Sequence, residues 1–515
     1  MNVIKDISGP YEVLHKLKNK IKKEWKIAFL SAIIIGTITH LFFLSQMILN
    51  HDSLKTIDIP QDAIITGRWF LKYICGITSK YILPTIIGAV SIIAIGISSV
   101  LIVDMFNVRK KLNIILISAI MVTYPVVAST FSYLFLADGY FIALLLATVS
   151  VFLASKYKYG FLIGAVCICF SLGIYQAYIS VTIILCIIKI LLSVINGEQT
   201  KDIIKQILKY FTMGVLGFIS YYVVLKLALF VRGMSLSTYQ NVDSLGSLNL
   251  NNILNGMVYA YKNFYTYITN TSFNQSNIVI VIANIFVYIG IVYIFFKEYI
   301  AKKSYKKVFN NIMIIIAVII IPIGLNIVNL ISTDTRYHLV MRYAWCLVYV
   351  AFVVLLDKVE IKTKIIQWLG VISMLCIIYN FIIVDNVAYF NAYYKMERSY
   401  SIAFRISESI ESFDGYTADM RVAIIGQPNP QNYVTTNSTA TITNDITGVE
   451  GNFITNSTLH YKALFEHYFA IRIVAASSTE IERIQQTEEF KEMPTYPDED
   501  SIRVINDILV IKLSY

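Results

Sequence analysis

The sequence predicts a mainly α-helical polytopic membrane protein of about eleven transmembrane helices, followed by a small C-terminal α/β domain. Three observations predict it: the composition, the length of the apolar runs, and an alternation of basic charge between them. Of 515 residues, 57% are hydrophobic and only 15% charged, where a soluble domain carries about a quarter charged. Mean hydropathy is +0.64. The hydrophobicity is clustered: the run IAFLSAIIIGTITHLFFLSQMIL (27–49) reaches the ~20 residues that cross the hydrocarbon core as a helix. Backbone polar groups in lipid must be satisfied within their own segment, so such runs must be helices.

Length and apolarity place spans at 27–48, 82–104, 112–128, 137–155, 159–174, 177–195, 211–231, 277–296, 309–331, 343–357 and 365–384. The short pair around Gly173 reads equally as a broken or re-entrant element. The first run follows a long basic segment and precedes no small-residue cleavage site, so a removable signal peptide is not expected. KLKNKIKKEWK (16–26), VRKK (108–111), KYK (156–158), the 189–209 stretch, KEYIAKKSYKK (297–307) and DKVEIKTK (357–364) are basic. They alternate with sparsely basic segments at 49–81, 129–136, 232–276 and 332–342. Positive charge stays inside, which places the N-terminus in the cytoplasm and, after an odd number of spans, the C-terminus outside. Heavy use of Ile, Lys, Asn and Tyr suggests a bacterium with an AT-rich genome, and hence the bacterial cell membrane.

From Asp385 onward there are 18 acidic and 10 basic residues, a net charge of −8, which leaves +18 for the rest of the chain. The basic excess therefore reads as topology, not as nucleic-acid binding. None of the six cysteines lies beyond Asp385 and none has metal-type spacing, which excludes a disulfide-built tail and a zinc module. The expected division is a transmembrane domain over 1–390 and an extracytoplasmic α/β domain over 391–515. In the latter, RVAIIG (421–426) and FAIRIVAASS (469–478) read as strands. TEIERIQQTEEFKE (479–492) reads as a charged helix capped by Ser478 or Thr479, and 501–514 as a hairpin pivoting at Asn506-Asp507.

Chemistry-bearing residues gather in the sparsely basic segments. NHDSLKTIDIPQDAIITGRWFL holds His51, Asp52, Asp58, Asp62 and Arg68, and ITGRWFLKYICGITSKYI within 49–81 reads as a helix lying in the interface. Asp52 directly follows an apolar run, where partial shielding from water suits a general base; an ordinary solvated loop acid is the alternative. His51 and Arg68 are candidate substrate contacts. Asp138 interrupts the apolar run FSYLFLADGYFIALLLA, as an acid facing a cavity would or as a helix N-cap would. Tyr175 and Gln176 stand at the turn between two short spans, where the amide could bind a sugar hydroxyl or satisfy the backbone of a broken helix. STDTRYHLVMRYAW carries Arg336, His338 and Arg342. Guanidinium on the outer side fits phosphate, which it binds bidentately; a lipid headgroup contact is the plainer reading. The tyrosines at 259, 261, 265 and 267 form an interfacial belt or line a pocket. The sequence contains no phosphate-binding GxxxxGK[ST], dinucleotide GxGxxG or HExxH motif, which excludes ATPase and metalloprotease modules.

Taken in order, HDSL with Asp52, GRWFL (67–71), Pro84 opening the second span, FSYLFLADGY with Asp138, SLGIYQAY (171–178) and Met341-Arg342-Tyr343 resemble the Gtr-type II bacterial glucosyltransferases. These are polytopic enzymes of GT-C fold, and the resemblance covers roughly residues 40–350. It implies transfer of a hexose, typically glucose, from a polyprenyl-phosphate donor to a cell-surface glycan on the outer face. It further implies that Asp52 is the catalytic base, that Asp138 supports the acceptor or the site, and that Arg342, with Arg336 beside it, holds the donor phosphate. The best-known members modify O-antigen; a single-membrane bacterium would offer a teichoic acid or another wall polysaccharide. No cofactor is expected, although Asp52 with Asp58 or Asp62 could hold a divalent metal weakly. Membrane lipid is an expected partner and nucleic acid is not. The rival reading, a lipid-linked sugar flippase or polysaccharide transporter, calls for a polar path through the spans and pseudo-repeats. Neither is visible in the sequence. A structural assembly partner acting through the acidic tail is a third reading.

Overall fold

The computed structural model describes residues 9, 11–12, 20–54, 56–57, 61–75, 77, 81–238, 250–331, 337–358, 364–428 and 440–514. Each predicted span meets a helix. The principal ones are α1 Lys23–Leu44, α2 Pro84–Phe106, α3 Lys111–Thr123, α4 Leu134–Lys156, α5 Gly160–Ile174, α6 Ile179–Ile195, α7 Thr200–Arg232, α8 Leu250–Asn270, α9 Ile278–Ala301, α10 Val308–Leu325, α11 Cys346–Lys358 and α12 Lys364–Glu411. Among the described residues, nine helical segments are long and apolar enough to cross a membrane. The helices α5, with 15 residues, and α11, with 13, are shorter. The exposed faces of α7, α9 and α10 carry Phe211, Phe218, Phe230, Ile282, Ile289, Ile315 and Val318, a surface that suits lipid rather than water. The helix α8 was not among the predicted spans. Its Tyr259, Tyr261 and Tyr265 are exposed and its Tyr267 is buried.

Local chemistry fixes the helix ends. Pro84 opens α2 at the position where its missing N–H costs nothing. Asn107 closes it with a left-handed φ of 54°, and Gly233 closes α7 at 61°. Where α1 crosses α2, Gly88 accepts the Leu44 side chain and Gly96 lies against Phe29, the close approach that small residues allow in a membrane bundle.

The basic segments meet at one end of the bundle. Asp104 accepts from Lys22 at 2.6 Å, Trp25 at 3.1 Å and Lys156 at 2.5 Å. Asp357 accepts the backbone N–H groups of Arg109 and Lys110 at 3.0 Å. Lys302 reaches Asn196 at 2.9 Å and Lys307 reaches the Gly197 carbonyl at 2.8 Å. The opposite end carries the segments in which the candidate site residues lie.

The last bundle helix, α12, continues unbroken for 48 residues, so the expected domain boundary at 391 falls inside it. Beyond it, β1 Arg421–Ile425, β2 Val474–Ala475, β3 Ile502–Ile505 and β4 Ile508–Lys512 form one sheet in the order β2-β1-β4-β3. The strand β1 pairs in parallel with β2 and β4, and β3 pairs antiparallel with β4. Asn506 and Asp507, at φ 53° and 62°, make the predicted hairpin pivot. The expected second strand shrinks to two residues. The following helix, α14 Ser478–Gln486, is capped by Ser477 and not by Ser478 or Thr479, because only Ser477 stands three residues before Glu480 and closes a capping box. Alternation along β1 splits two cores. Val422 and Ile424 join the core of the bundle, while Ala423 and Ile425 pack with Ile484 and Phe490 on the other face. The sheet is thus docked onto the bundle by one of its faces. Between β1 and β2 lies the helix α13 Thr458–Leu464.

Candidate functional site

After α1 the Asn50 side chain caps a one-turn helix, His51–Leu54, by accepting from the Ser53 N–H at 2.8 Å and the Ser53 hydroxyl at 2.7 Å. Leu54 is buried by this turn, and His51 and Asp52 are left facing outward. Their side chains approach to 3.5 Å, and that of Asp52 is 51% exposed. The shielding expected of Asp52 is therefore less than its place after an apolar run suggested. The His51 ring lies 6.3 Å, edge to face, from His460 on α13, which brings the C-terminal region over this turn.

The chain then turns back at Gly67, whose φ of +80° is open to glycine at no steric cost. Gln176 donates to the Thr66 carbonyl at 2.9 Å, and the Tyr221 hydroxyl donates to the Gly67 carbonyl at 3.1 Å. The Phe70 N–H donates to the Gly173 carbonyl at 2.8 Å, and the Trp69 indole fills the space a side chain at 173 would need. The segment after Gly67 is therefore inserted into the break between α5 and α6. Among its described residues, Leu71–Cys75 is α-helical. Asp62 ties the segment to α7 through Arg232 at 2.5 Å and Lys72 at 3.2 Å. Partial burial raises its carboxyl, but the hydrogen bonds from Arg232 and Lys72 outweigh that and hold it below the usual carboxylate range. Asp58 lies outside the described residues.

Arg68, carried on this insert, donates to the Tyr140 hydroxyl at 2.8 Å. Its guanidinium stands 5.1 Å from the Tyr175 ring, and Tyr140 and Tyr175 stack at 3.9 Å. Asp138 is 1% exposed. It sits a full turn inside α4, so it is not an N-cap; its Oδ1 accepts from the Gly139 N–H at 2.8 Å. Cys75 from the insert packs against this position.

Arg342 lies between two tight turns, Leu339–Met341 and Tyr343–Trp345. It donates to the Tyr337 carbonyl at 3.1 Å and faces the rings of Tyr337 at 4.4 Å and Tyr267 at 5.3 Å. Arg336 lies outside the described residues. A cavity of about 130 Å³ opens over Arg342, with Tyr267, Thr271, Tyr337 and His338 on the bundle side. Its other wall comes from the C-terminal region: Asn444, Asp445, Thr447 and Glu450. That wall is fastened in place. The Thr447 carbonyl accepts from Ser129 and Ser132, both at 2.9 Å, and its hydroxyl oxygen accepts from the Leu339 N–H at 2.9 Å. Asp445 accepts from the Ser272 N–H at 2.6 Å, and Lys395 donates to the Glu450 carbonyl at 2.6 Å. Sequence reasoning missed these four residues. Their only signal was a polar, glycine-punctuated stretch, NDITGVEGN (444–452), with neither helical nor strand periodicity.

The predicted residues thus form three groups at one end of the bundle. Arg68, Tyr175, Gln176 and Asp138 surround the inserted segment. Arg342 stands in the cavity, and aromatic rings connect it to the first group through Tyr175–Tyr178 at 5.5 Å and Tyr178–Tyr343 at 6.0 Å. His51 and Asp52 occupy the open turn and do not line the cavity. The C-terminal stretch 444–464 touches both of the latter groups. Among the described residues, no cluster of three or more His, Cys, Asp or Glu side chains is placed to hold a metal ion.

No curated protein and no solved structure matches the chain. A family model described as Glucosyl transferase GtrII matches residues 41–356, a stretch that includes the Asp52 turn, Asp138 and Arg342 and ends before the C-terminal wall of the cavity.

Proposed function

This chain belongs to the GtrII glucosyl transferase family and is a multi-pass membrane glycosyltransferase; from that premise we propose that it moves glucose from a polyprenyl-phosphate donor to an extracytoplasmic glycan, with inversion. The observation that carries the reading is Arg342, a cation held between two tyrosines in a polar cavity at the end of the bundle remote from the basic clusters. A polyprenyl donor cannot leave the membrane, so its phosphate must be met at headgroup depth by a fixed cation. The acceptor hydroxyl attacks the anomeric carbon from the face opposite the phosphate. The bond from that carbon to the phosphate oxygen breaks, and the electron pair leaves with the lipid phosphate, whose charge Arg342 neutralises. We assign the proton of the attacking hydroxyl to Asp52, which lies outside the cavity on the turn that the C-terminal stretch 444–464 joins to it, with His51 beside it at 3.5 Å. Asp138 acts by holding the inserted segment, and Arg68 with its stacked tyrosines orients the donor from the other side. The acceptor is a surface polysaccharide or teichoic acid of the bacterial envelope, and the site end faces outward.

The test is transfer of radiolabelled glucose from synthetic polyprenyl-phosphate glucose in proteoliposomes, comparing wild type with Asp52→Asn. Loss of a general base should lower kcat by about 10²–10⁴. Undiminished turnover by the variant would remove Asp52 from the base role, and an axial-to-axial product by NMR from an α-linked donor would remove the inverting displacement.

A further inference from the structure

We infer that the C-terminal stretch 444–450 is the acceptor-binding wall of the Arg342 cavity, and that it selects an uncharged, hydroxyl-rich glycan over a polyanionic phosphate polymer. This rests on the glucosyl-transfer reading above and deepens it.

The two walls of the cavity have different origins. Tyr267, Tyr337 and Arg342 fall within residues 41–356, matched by the family model, whereas Asn444, Asp445, Thr447 and Glu450 fall outside it. A donor common to a family calls for a common wall, and an acceptor particular to one surface calls for a particular one. The cavity is therefore divided in the way a two-substrate transferase divides its labour.

The chemistry of the second wall points the same way. A carboxylate only accepts hydrogen bonds, and it accepts them well from the hydroxyls of a sugar. Backbone amides aim both acids: Ser272 N–H bonds Asp445 at 2.6 Å, and Gly448 N–H bonds Glu450. Among the described residues no ion pair joins either acid to Arg342, so opposite charges face each other across an open space. Arg342 serves a phosphate on its side. The facing carboxylates repel a second phosphate. The region from Asp385 onward, with 18 acids against 10 basic residues, repels a polyphosphate chain over the ~8 Å that physiological salt leaves unscreened.

The wall is also rigid enough to discriminate. Thr447 is bonded three times to the bundle. Gly448, at φ +97°, lies so close to Ser132 that a side chain there would collide with the hydroxyl. Trp345 lies tilted against Tyr267, with ring centroids 4.2 Å apart, which places a fluorescent reporter one ring away from the cavity.

The experiment offers wild-type enzyme in proteoliposomes, with polyprenyl-phosphate glucose, either a neutral N-acetylglucosamine oligosaccharide or poly(glycerol phosphate). We expect glucosylation of the neutral oligosaccharide. Its KM should rise about tenfold in Asp445→Asn and in Glu450→Gln, the effect of weakening one charge-assisted hydrogen bond. The donor KM and the melting midpoint should hold. Preference for poly(glycerol phosphate), or an unchanged acceptor KM in both variants, overturns the inference. Should a variant melt early, Asn444→Ala, at an exposed position of the same wall, supplies the KM reading in its place. Absence of transfer to either acceptor would count against the glucosyl-transfer reading instead, and binding then decides the wall by itself. Quenching by the neutral oligosaccharide that disappears in Trp345→Phe and weakens in Glu450→Gln supports it; no quenching overturns it.

Discussion

Arg342 is held by groups that use little of its hydrogen-bonding capacity. One terminal nitrogen donates to the Tyr337 carbonyl at 3.1 Å, and the rings of Tyr337 and Tyr267 lie 4.4 and 5.3 Å from the guanidinium. Its Nε and the remaining N–H donors are left to meet a phosphate. A lysine keeps the charge but neither stacks between rings nor presents two parallel donors. Arg342→Lys should therefore lower kcat/KM by about 10–100-fold, and Arg342→Gln by about 10²–10³, both with unchanged membrane insertion. The measurement is donor-dependent transfer in proteoliposomes, and equal rates for Lys and Arg would mean that charge alone matters there. Asp52, Asp138 and Arg342 stand out in the sequence because an ion within or beside an apolar run must have a reason. Asp445 and Glu450 were not legible: each is one of 18 acids in the last 131 residues, and nothing local marks those that line a cavity. Asp138 shows the limit of residue reading from the other side. Its place before Gly-Tyr-Phe suited a cap, but α4 starts at Leu134, and a buried acid resulted.

At the scale of elements, the spans were legible because lipid imposes both length and backbone closure, and these leave a long apolar signature. The insert after Gly67 was not. Aromatic and aliphatic residues interrupted by Arg68 and Lys72 fit an interfacial helix as well as a buried segment, and only the break between α5 and α6, with Gly173 leaving room for Trp69, decides between them. The C-terminal strands around Ile424 and Val510 were legible from an apolar run ending at a glycine and from the Asn506-Asp507 pivot, whereas the alternating run 469–478 yields a strand of two residues. The loop 444–457 that builds the cavity wall has no period to read. That loop is most sensitive at Gly448. Gly448→Ala forces a side chain into φ +97° and against Ser132, a combination that should destabilise by about 1–3 kcal/mol. The loss should be local: the Thr447 hydrogen bonds would open, so limited proteolysis should cut near 444–450 in the variant at protease levels that spare the wild type. A variant as resistant as wild type would show that the loop can shift without leaving the bundle.

For the molecule as a whole, charge and site occupy opposite ends. Lys22, Lys110, Lys156, Lys302 and Lys307 meet around Asp104, Asp357 and the 196–198 turn, while Asp52, Arg68, Arg342 and the docked C-terminal sheet lie at the other. Retention of positive charge on the cytoplasmic side predicts one orientation for every element at once, because the helices form a single bundle and cannot be assigned separately. The same orientation is what a lipid-borne donor and an envelope acceptor require. It can be read directly with two single cysteines at exposed positions: Lys158→Cys, at the basic end, and Ala418→Cys, in the C-terminal region. A membrane-impermeant maleimide applied to intact cells should label the cysteine at 418 at once and the one at 158 only after permeabilisation. The native thiols give the background, since none lies beyond Asp385. Labelling in the reverse order would put the Arg342 cavity on the cytoplasmic face, where glycan modification outside the cell is closed to it, and the proposed donor and acceptor would both have to be replaced.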